Sequence, residues 1–142
     1  MNNQRNRQSR RNAFTLIELL LVMVILVVLA AIVAPRFTGR SQQAKITAAK
    51  TQINNLESAV KMFETENSRF PTEDEGLGAL VTAPASATNW HGPYMEKGIP
   101  ADPWGNAYIY HCPGQHNTDS FDLYSFGPDG REGGNDDITN WQ

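Results

Sequence analysis

A long uninterrupted apolar segment near the N-terminus constrains this chain most strongly. Residues 19–34 are sixteen consecutive residues without a charged or polar side chain. Extended back to Phe14, the segment has 21 residues. As a helix it would be about 31 Å long, which matches the ~30 Å hydrocarbon core of a bilayer. Beyond Pro35 the sequence has the modest hydrophobicity of a soluble protein, so one membrane helix followed by one small domain is predicted.

Charge is distributed unevenly along the chain. Residues 1–13 contain four arginines and no acid, and the whole chain carries −3, so removal of this leader would leave about −7. From Ser120 onward there are five acidic residues against Arg131 alone. This balance excludes nucleic acid as an expected partner and favours a cation or a basic surface. The single cysteine, Cys112, cannot form an internal disulfide, so this small domain needs another stabilising element.

A basic start followed by an apolar segment also describes an ordinary secretory signal peptide, with a possible cleavage site after Ala30. Two features argue against this alternative. The segment is longer than the ~7–15 apolar residues of a typical signal peptide. It also contains Glu18, and an acid at mid-membrane costs about 2.5–3.5 kcal/mol, less near the boundary. Because no Lys, Arg or His lies within one helical turn of Glu18, its partner is expected to come from elsewhere.

The residues around Glu18 carry a family resemblance. The stretch Arg11–Leu20, RNAFTLIELL, resembles the class III signal of type IV pilins and pseudopilins. The resemblance implies that a prepilin peptidase cuts between Ala13 and Phe14 on the cytoplasmic side and N-methylates Phe14. The family usually has glycine before the cut, where this chain has Ala13.

The same resemblance implies the organisation of the whole chain. Residues 1–13 would be a removed leader, residues 14–35 a transmembrane and polymerisation helix, and residues 36–142 a periplasmic domain of a single-pass protein in the bacterial inner membrane. Glu18 would pair with the N-terminal amine of Phe14 in a neighbouring subunit. We therefore expect this pair to set the register of a homopolymer, since an unpaired charge in an apolar setting is strongly destabilising.

The sequence after Pro35 predicts an α+β domain. Pro35 and Gly39 are expected to weaken or kink the helical region. An amphipathic helix is then predicted over about Ser41–Glu66, because six apolar residues recur at spacings of three and four: Ile46, Ala49, Ile53, Leu56, Val60 and Phe63. A coiled coil of about three heptads is the alternative.

Short elements follow this helix. Residues 75–81 are compatible with a short helix, and residues 107–112 and 120–126 are predicted strands joined by a hairpin loop at residues 113–119. In the second strand, alternating residues are expected to face opposite sides. The apolar stripe of the long helix is expected to pack on this small antiparallel sheet.

The stretch Gly127–Ile138 combines three aspartates with several glycines and no predicted regular structure. Hard cations such as Ca²⁺ take six to eight oxygens from carboxylates and carbonyls in flexible loops. The spacing is not that of an EF-hand. Composition therefore leaves two interpretations open, a calcium loop or a solvated acidic loop.

A second, more specific resemblance favours the calcium loop over the solvated acidic loop. Residues 101–108 (ADPWGNAY), 125–130 (SFGPDG) and 136–141 (DDITNW), with RFPT at residues 69–72, resemble the major pseudopilin family of type II secretion systems. The resemblance implies one bound Ca²⁺, with Trp141 expected to cover the loop. Its ligands would be the side chains of Asp129, Asp136 and Asp137 and the carbonyl of Phe126, with the carbonyl of Arg131 as a further candidate.

The family resemblance implies a structural subunit with no catalysis of its own. Its partners would be further copies, prepilin peptidase, other pseudopilins and the inner-membrane secretion platform. A surface type IV pilin, a minor pseudopilin and a secreted calcium-binding module remain alternatives. The other chemically capable residues, His91, His111, His116 and Cys112, lack the spacing of a zinc site or a nucleophile, and His116 is expected to be solvated.

Overall fold

The computed structural model describes residues 14–141, apart from the side chains of residues 33–38. Its elements confirm the α+β class. They are helix α1 (Leu16–Asn67), a 3₁₀ turn (Gly76–Leu80), strands β1 (Ile109–His111) and β2 (Asp122–Ser125), a second 3₁₀ turn (Gly127–Asp129) and strand β3 (Ile138–Thr139).

Helix α1 is one continuous element of 52 residues, although the sequence predicted a weak point or kink at Pro35 and Gly39. Its helical backbone runs through Pro35 and Gly39, although a proline removes one hydrogen bond to the preceding turn. Thr15 caps the start, since its Oγ1 accepts a hydrogen bond from the backbone N–H of Glu18 at 3.3 Å. This places Glu18 in the first turn, where a negative charge interacts favourably with the helix dipole.

The chain divides into two compact units between Gly39 and Arg40. In the first unit, the large apolar side chains described from Phe14 to Ile32 are 49–81% exposed. Within the described part of the chain, no helix has both the length and the apolar character needed to cross a membrane.

The second unit has a hydrophobic core built on the predicted stripe of α1. Ala49, Leu56, Val60 and Phe63 are fully buried, Ile53 nearly so, and Ile46 packs at the edge. They share one cluster with Tyr110, Phe121, Leu123 and Ile138 from the sheet region. The prediction that this face of the helix packs on a small sheet is therefore confirmed.

The sheet is antiparallel in the order β1–β2–β3, so β2 is the central strand. The two predicted strands are confirmed, and they pair with Tyr110 opposite Leu123. β3 was not predicted, because two residues carry no recognisable alternation. All four residues of β2 are buried, including Asp122 and Tyr124. Phe121 and Leu123 belong to the hydrophobic core cluster, whereas Tyr124 does not, in agreement with the expected alternation.

A charged contact fixes the chain just after α1. Arg69 donates hydrogen bonds to both carboxylate oxygens of Glu75, from Nη1 at 2.8 Å and from Nη2 at 2.9 Å. The hydrogen bond from Arg69, helped by those from Ser86 and Thr72, outweighs burial and lowers the pKa of Glu75 from 4.5 to about 2. The ionised form of Glu75 is therefore favoured by folding.

Replacing Glu75 by glutamine is expected to change how steeply the free energy of unfolding falls at acid pH. Because the pKa of Glu75 is depressed in the folded state, its contribution is complete above pH 4.5 and is lost as the pH falls towards 2. Denaturant unfolding between pH 7 and 2 should therefore show a shallower decline for Glu75→Gln than for the wild type. Asp74→Asn, at an exposed neighbour, is the control, and an unchanged decline in Glu75→Gln would contradict the assignment.

Candidate functional site

The predicted calcium ligands all lie on the connection between β2 and β3, residues 126–137, which we call the acidic loop. The 3₁₀ turn begins directly after Phe126, and Gly130 ends it in the left-handed conformation, with φ of 66°. Asp129 then folds back, since its Oδ1 accepts a hydrogen bond from the backbone N–H of Arg131 at 2.9 Å. The first half of the loop is thus a tight turn that leaves Asp129 exposed.

The second half of the acidic loop curls around Gly134. A Cβ on Gly134 would lie 2.9 Å from Oδ1 of Asp136 and 3.7 Å from Oδ2 of Asp129. The carboxylates of Asp129 and Asp136, one from each half of the loop, therefore lie next to the space that a side chain on Gly134 would occupy. Asp137 Oδ2 accepts a hydrogen bond from the N–H of Gly133 at 2.8 Å, whereas its Oδ1 is buried and has no hydrogen-bond partner.

These features bear on whether the loop suits a hard cation. A buried carboxylate oxygen without a partner is costly, and a bound cation or water would satisfy it. Carboxylate and carbonyl oxygens are also the ligands that Ca²⁺ prefers. However, no three His, Cys, Asp or Glu residues among those described are gathered closely enough to hold a metal ion. The donor chemistry fits Ca²⁺, and the loop brings Asp129 and Asp136 to one glycine, but calcium binding remains a prediction.

The two ends of the acidic loop meet at Gly127. This residue has a φ of 69°, and a Cβ on it would lie only 2.2 Å from the carbonyl oxygen of Asp136. Real Cβ atoms do not approach a backbone oxygen so closely. Glycine is therefore required both for the conformation and for the contact between the ends of the loop.

Replacing Gly127 by alanine should destabilise the domain more than the same change at Gly133. Both glycines have positive φ, which costs an alanine roughly 1–2 kcal/mol. A Cβ on Gly127 would collide with the backbone of Asp136, whereas nothing lies within 4 Å of a Cβ on Gly133. The displaced backbone should add ~1–3 kcal/mol to the loss of unfolding free energy. Equal losses in denaturant unfolding would show that the loop ends do not meet there.

The chain after β3 is held by an aromatic stack. Trp141 lies parallel to the ring of His116, with centroids 4.1 Å apart and an interplanar angle of 5°. It also packs edge-on against Tyr124. His116 is exposed, as expected, but its ring is also fixed by this stack. Trp141 lines a cavity of about 320 Å³ together with Gly134 and Asp137, which places it beside the acidic loop. That it covers a calcium site stays a prediction.

Asp122 organises the loop that carries His116. Its Oδ2 accepts hydrogen bonds from the backbone N–H groups of Gln115 and His116 at 2.7 and 2.8 Å, and its Oδ1 accepts one from Asn117 at 2.9 Å. Burial alone would raise the pKa of Asp122, but these hydrogen bonds outweigh it and hold the pKa below its ordinary value. This role was not predictable from the sequence, because the residue stands in a strand pattern.

The predicted assembly residues lie at the start of α1. Phe14 and Glu18 are both exposed, while Ala13 and the leader lie outside the described residues. The five ion pairs found among the described residues do not include Glu18. The carboxylate is thus available to an external partner at the end of an exposed apolar helix.

Taken together, these features define a class of protein. A long helix has an exposed apolar first part, and its second part packs on a small antiparallel sheet. An irregular loop rich in acids follows the central strand. This is the architecture of a pilin-like subunit.

Comparisons with known proteins narrow the class to a family. The sequence model of the type II secretion system (T2SS) protein G family matches residues 36–141. A prokaryotic N-terminal methylation motif matches residues 8–34. The chain belongs to the type II secretion system protein G family. The resemblance seen in the sequence is thereby confirmed.

Individual relatives agree with this assignment. The type II secretion system core protein G of Pseudomonas aeruginosa is 45% identical over 97% of this chain and 98% of its own length. The protein of the same name from Escherichia coli K12 is 42% identical over 93% of this chain and 92% of its own length. The crystal structure of the major pseudopilin from the type 2 secretion system of enterohaemorrhagic E. coli is similar, with a TM-score of 0.64 and 35% identity over 73% of this chain and 92% of that one.

Proposed function

We propose that this chain is the major structural subunit of the type II secretion pseudopilus, a homopolymer that supports export of folded proteins across the outer membrane. The match of both the domain and the N-terminal motif to one family carries the proposal. The names of the relatives favour it over a surface pilin or a minor pseudopilin. The subunit would work by assembly, together with other pseudopilins and the inner-membrane platform.

Processing would precede assembly. Prepilin peptidase would cut between Ala13 and Phe14 and methylate the new amine, as the methylation motif at residues 8–34 suggests. The exposed apolar side chains from Phe14 to Ile32 favour a non-aqueous environment, since water penalises such surface by about 25 cal/mol per Å². We place residues 14–35 in the bacterial inner membrane and the remaining domain in the periplasm.

Polymerisation would then replace lipid by neighbouring helices. In that setting the Glu18 carboxylate needs a cation, and the amine of Phe14 on a neighbouring subunit is a suitable partner. Such a pair forms only at one axial offset between helices. It would therefore select the register of the fibre, while apolar packing holds the helices together.

Replacing Glu18 by glutamine should reduce assembly at least tenfold while leaving the domain folded. The substitution keeps the size of the side chain and removes the charge that the proposed pair requires. Fibres sheared from cells are quantified by immunoblot, and mass spectrometry of the N-terminus confirms that Phe14 is exposed and methylated in each variant. Glu64→Gln, on the same helix, is the matched control. Wild-type fibre yield from Glu18→Gln would disprove the register pair.

Calcium would close the acidic loop. The side chains of Asp129, Asp136 and Asp137 and the carbonyls of Phe126 and Arg131 are the proposed ligands. The orphan Oδ1 of Asp137 and the approach of two carboxylates to Gly134 support this assignment. A bound cation would relieve the repulsion among these carboxylates and would join the two halves of the loop, as a disulfide does in other small domains.

Removing calcium is expected to lower the melting temperature. A site filled at one hundred times its Kd adds about 2.7 kcal/mol of stability, which is on the order of 10 °C for a domain of this size. Asp136→Ala should abolish this difference between calcium and chelator, measured by circular dichroism. Asp119→Ala, which removes an exposed acid outside the loop, should preserve it. A wild-type melting temperature that is the same in calcium and in chelator would refute the site.

A further inference from the structure

We infer that Asp102 and Ser125 are positioning residues for the proposed calcium loop: a buried relay of hydrogen bonds from Asp102 through Ser125 fixes the peptide between Phe126 and Gly127. The inference rests on the proposed calcium function. It concerns two residues that would not contact the ion.

The relay begins in the turn at residues 102–106. Asp102 is only 4% exposed. Its Oδ1 accepts hydrogen bonds from the backbone N–H groups of Trp104 at 3.0 Å and Asn106 at 2.7 Å. The backbone of Asp102 also accepts a hydrogen bond from the N–H of Gly105 and donates one to the carbonyl of Asn106. The carboxylate is therefore held rigidly, with its second oxygen left for another donor.

That donor is the hydroxyl of Ser125, the last residue of β2. Ser125 is fully buried, and its Oγ donates a hydrogen bond to Oδ2 of Asp102 at 2.5 Å. The same Oγ accepts a hydrogen bond from the backbone N–H of Gly127 at 3.1 Å. A hydroxyl that donates to a carboxylate becomes a better acceptor, so the two bonds reinforce each other.

This relay determines where one proposed ligand points. The peptide between Phe126 and Gly127 is planar and trans, so its C=O points opposite to its N–H. Because the N–H of Gly127 is directed towards the buried Ser125, the carbonyl of Phe126 is directed away from it. Gly127 also contacts the carbonyl of Asp136 at the other end of the loop. Holding this one peptide therefore sets both a ligand and the closure of the loop.

An ion benefits from a ligand that is already oriented, since no ordering remains to be done on binding. Outer-shell partners of metal ligands accordingly affect affinity by on the order of 10–100-fold when they are replaced. If the relay only stabilised the fold, its removal would lower the melting temperature equally with and without calcium. A change in calcium affinity therefore separates the two roles.

The test uses the full-length chain purified in detergent micelles. Ser125→Ala removes the central atom of the relay. Asp102→Asn is isosteric and keeps one oxygen for the two N–H groups of the turn, but it cannot accept from Ser125. Tyr110→Phe is the matched control, because it removes another buried hydroxyl hydrogen bond, to the carbonyl of Pro71 at 2.8 Å, outside the acidic loop.

Calcium affinity is measured by titration calorimetry, and melting is measured in calcium and in chelator. Ser125→Ala and Asp102→Asn are expected to weaken calcium binding about tenfold or more, equivalent to about 1.4 kcal/mol per tenfold. Their calcium-induced rise in melting temperature should shrink. Tyr110→Phe should lower the melting temperature equally in both conditions and keep its affinity within about twofold.

The outcomes distinguish the relay from the calcium function itself. A wild-type chain that does not bind calcium overturns the proposed calcium site, and the relay with it. A wild-type chain that binds calcium, with either relay variant folded and unchanged in affinity, overturns the relay alone. Loss of affinity in Tyr110→Phe equal to that of Ser125→Ala would also overturn it, since any buried hydrogen bond would then suffice.

Discussion

The domain that follows Gly39 depends on the packing of α1 against β2. Leu56, Val60 and Phe63 from the helix and Leu123 from the strand are completely buried in one cluster. Strand β2 is the centre of the sheet, so both other strands are attached through it. These two flanking strands are very short, and a small sheet needs an apolar contact such as the one with the helix for stability.

Strand β2 also carries the polar groups that shape the surrounding loops. Asp122 at its start gathers the backbone of the preceding loop, and Ser125 at its end connects to Asp102 and to Gly127. Both carboxylates are nearly inaccessible, and each accepts several hydrogen bonds, which offsets the cost of burying it. In a chain with one cysteine, these buried acceptors connect separate segments, Asp122 to the preceding loop and Asp102 to the end of β2.

Periodic features could be predicted from the sequence, whereas features that arise from tertiary contact could not. The stripe of α1 and the pairing of β1 with β2 follow from repeated spacing and from β-forming residues. β3 is only two residues long, and the burial of Asp122 accompanies the folding of the loop whose backbone N–H groups, at Gln115, His116 and Asn117, donate to its carboxylate. Local preference at Pro35 likewise predicted a weak point, where the helical backbone continues.

The capped start of α1 has a consequence for a subunit that is still alone. The first-turn amides give the helix end a partial positive charge, and Glu18 lies within it. The carboxylate is thus partly compensated before any neighbour arrives. In the proposed pathway, a single subunit would therefore be less destabilised by its own charge while it waits for a neighbour.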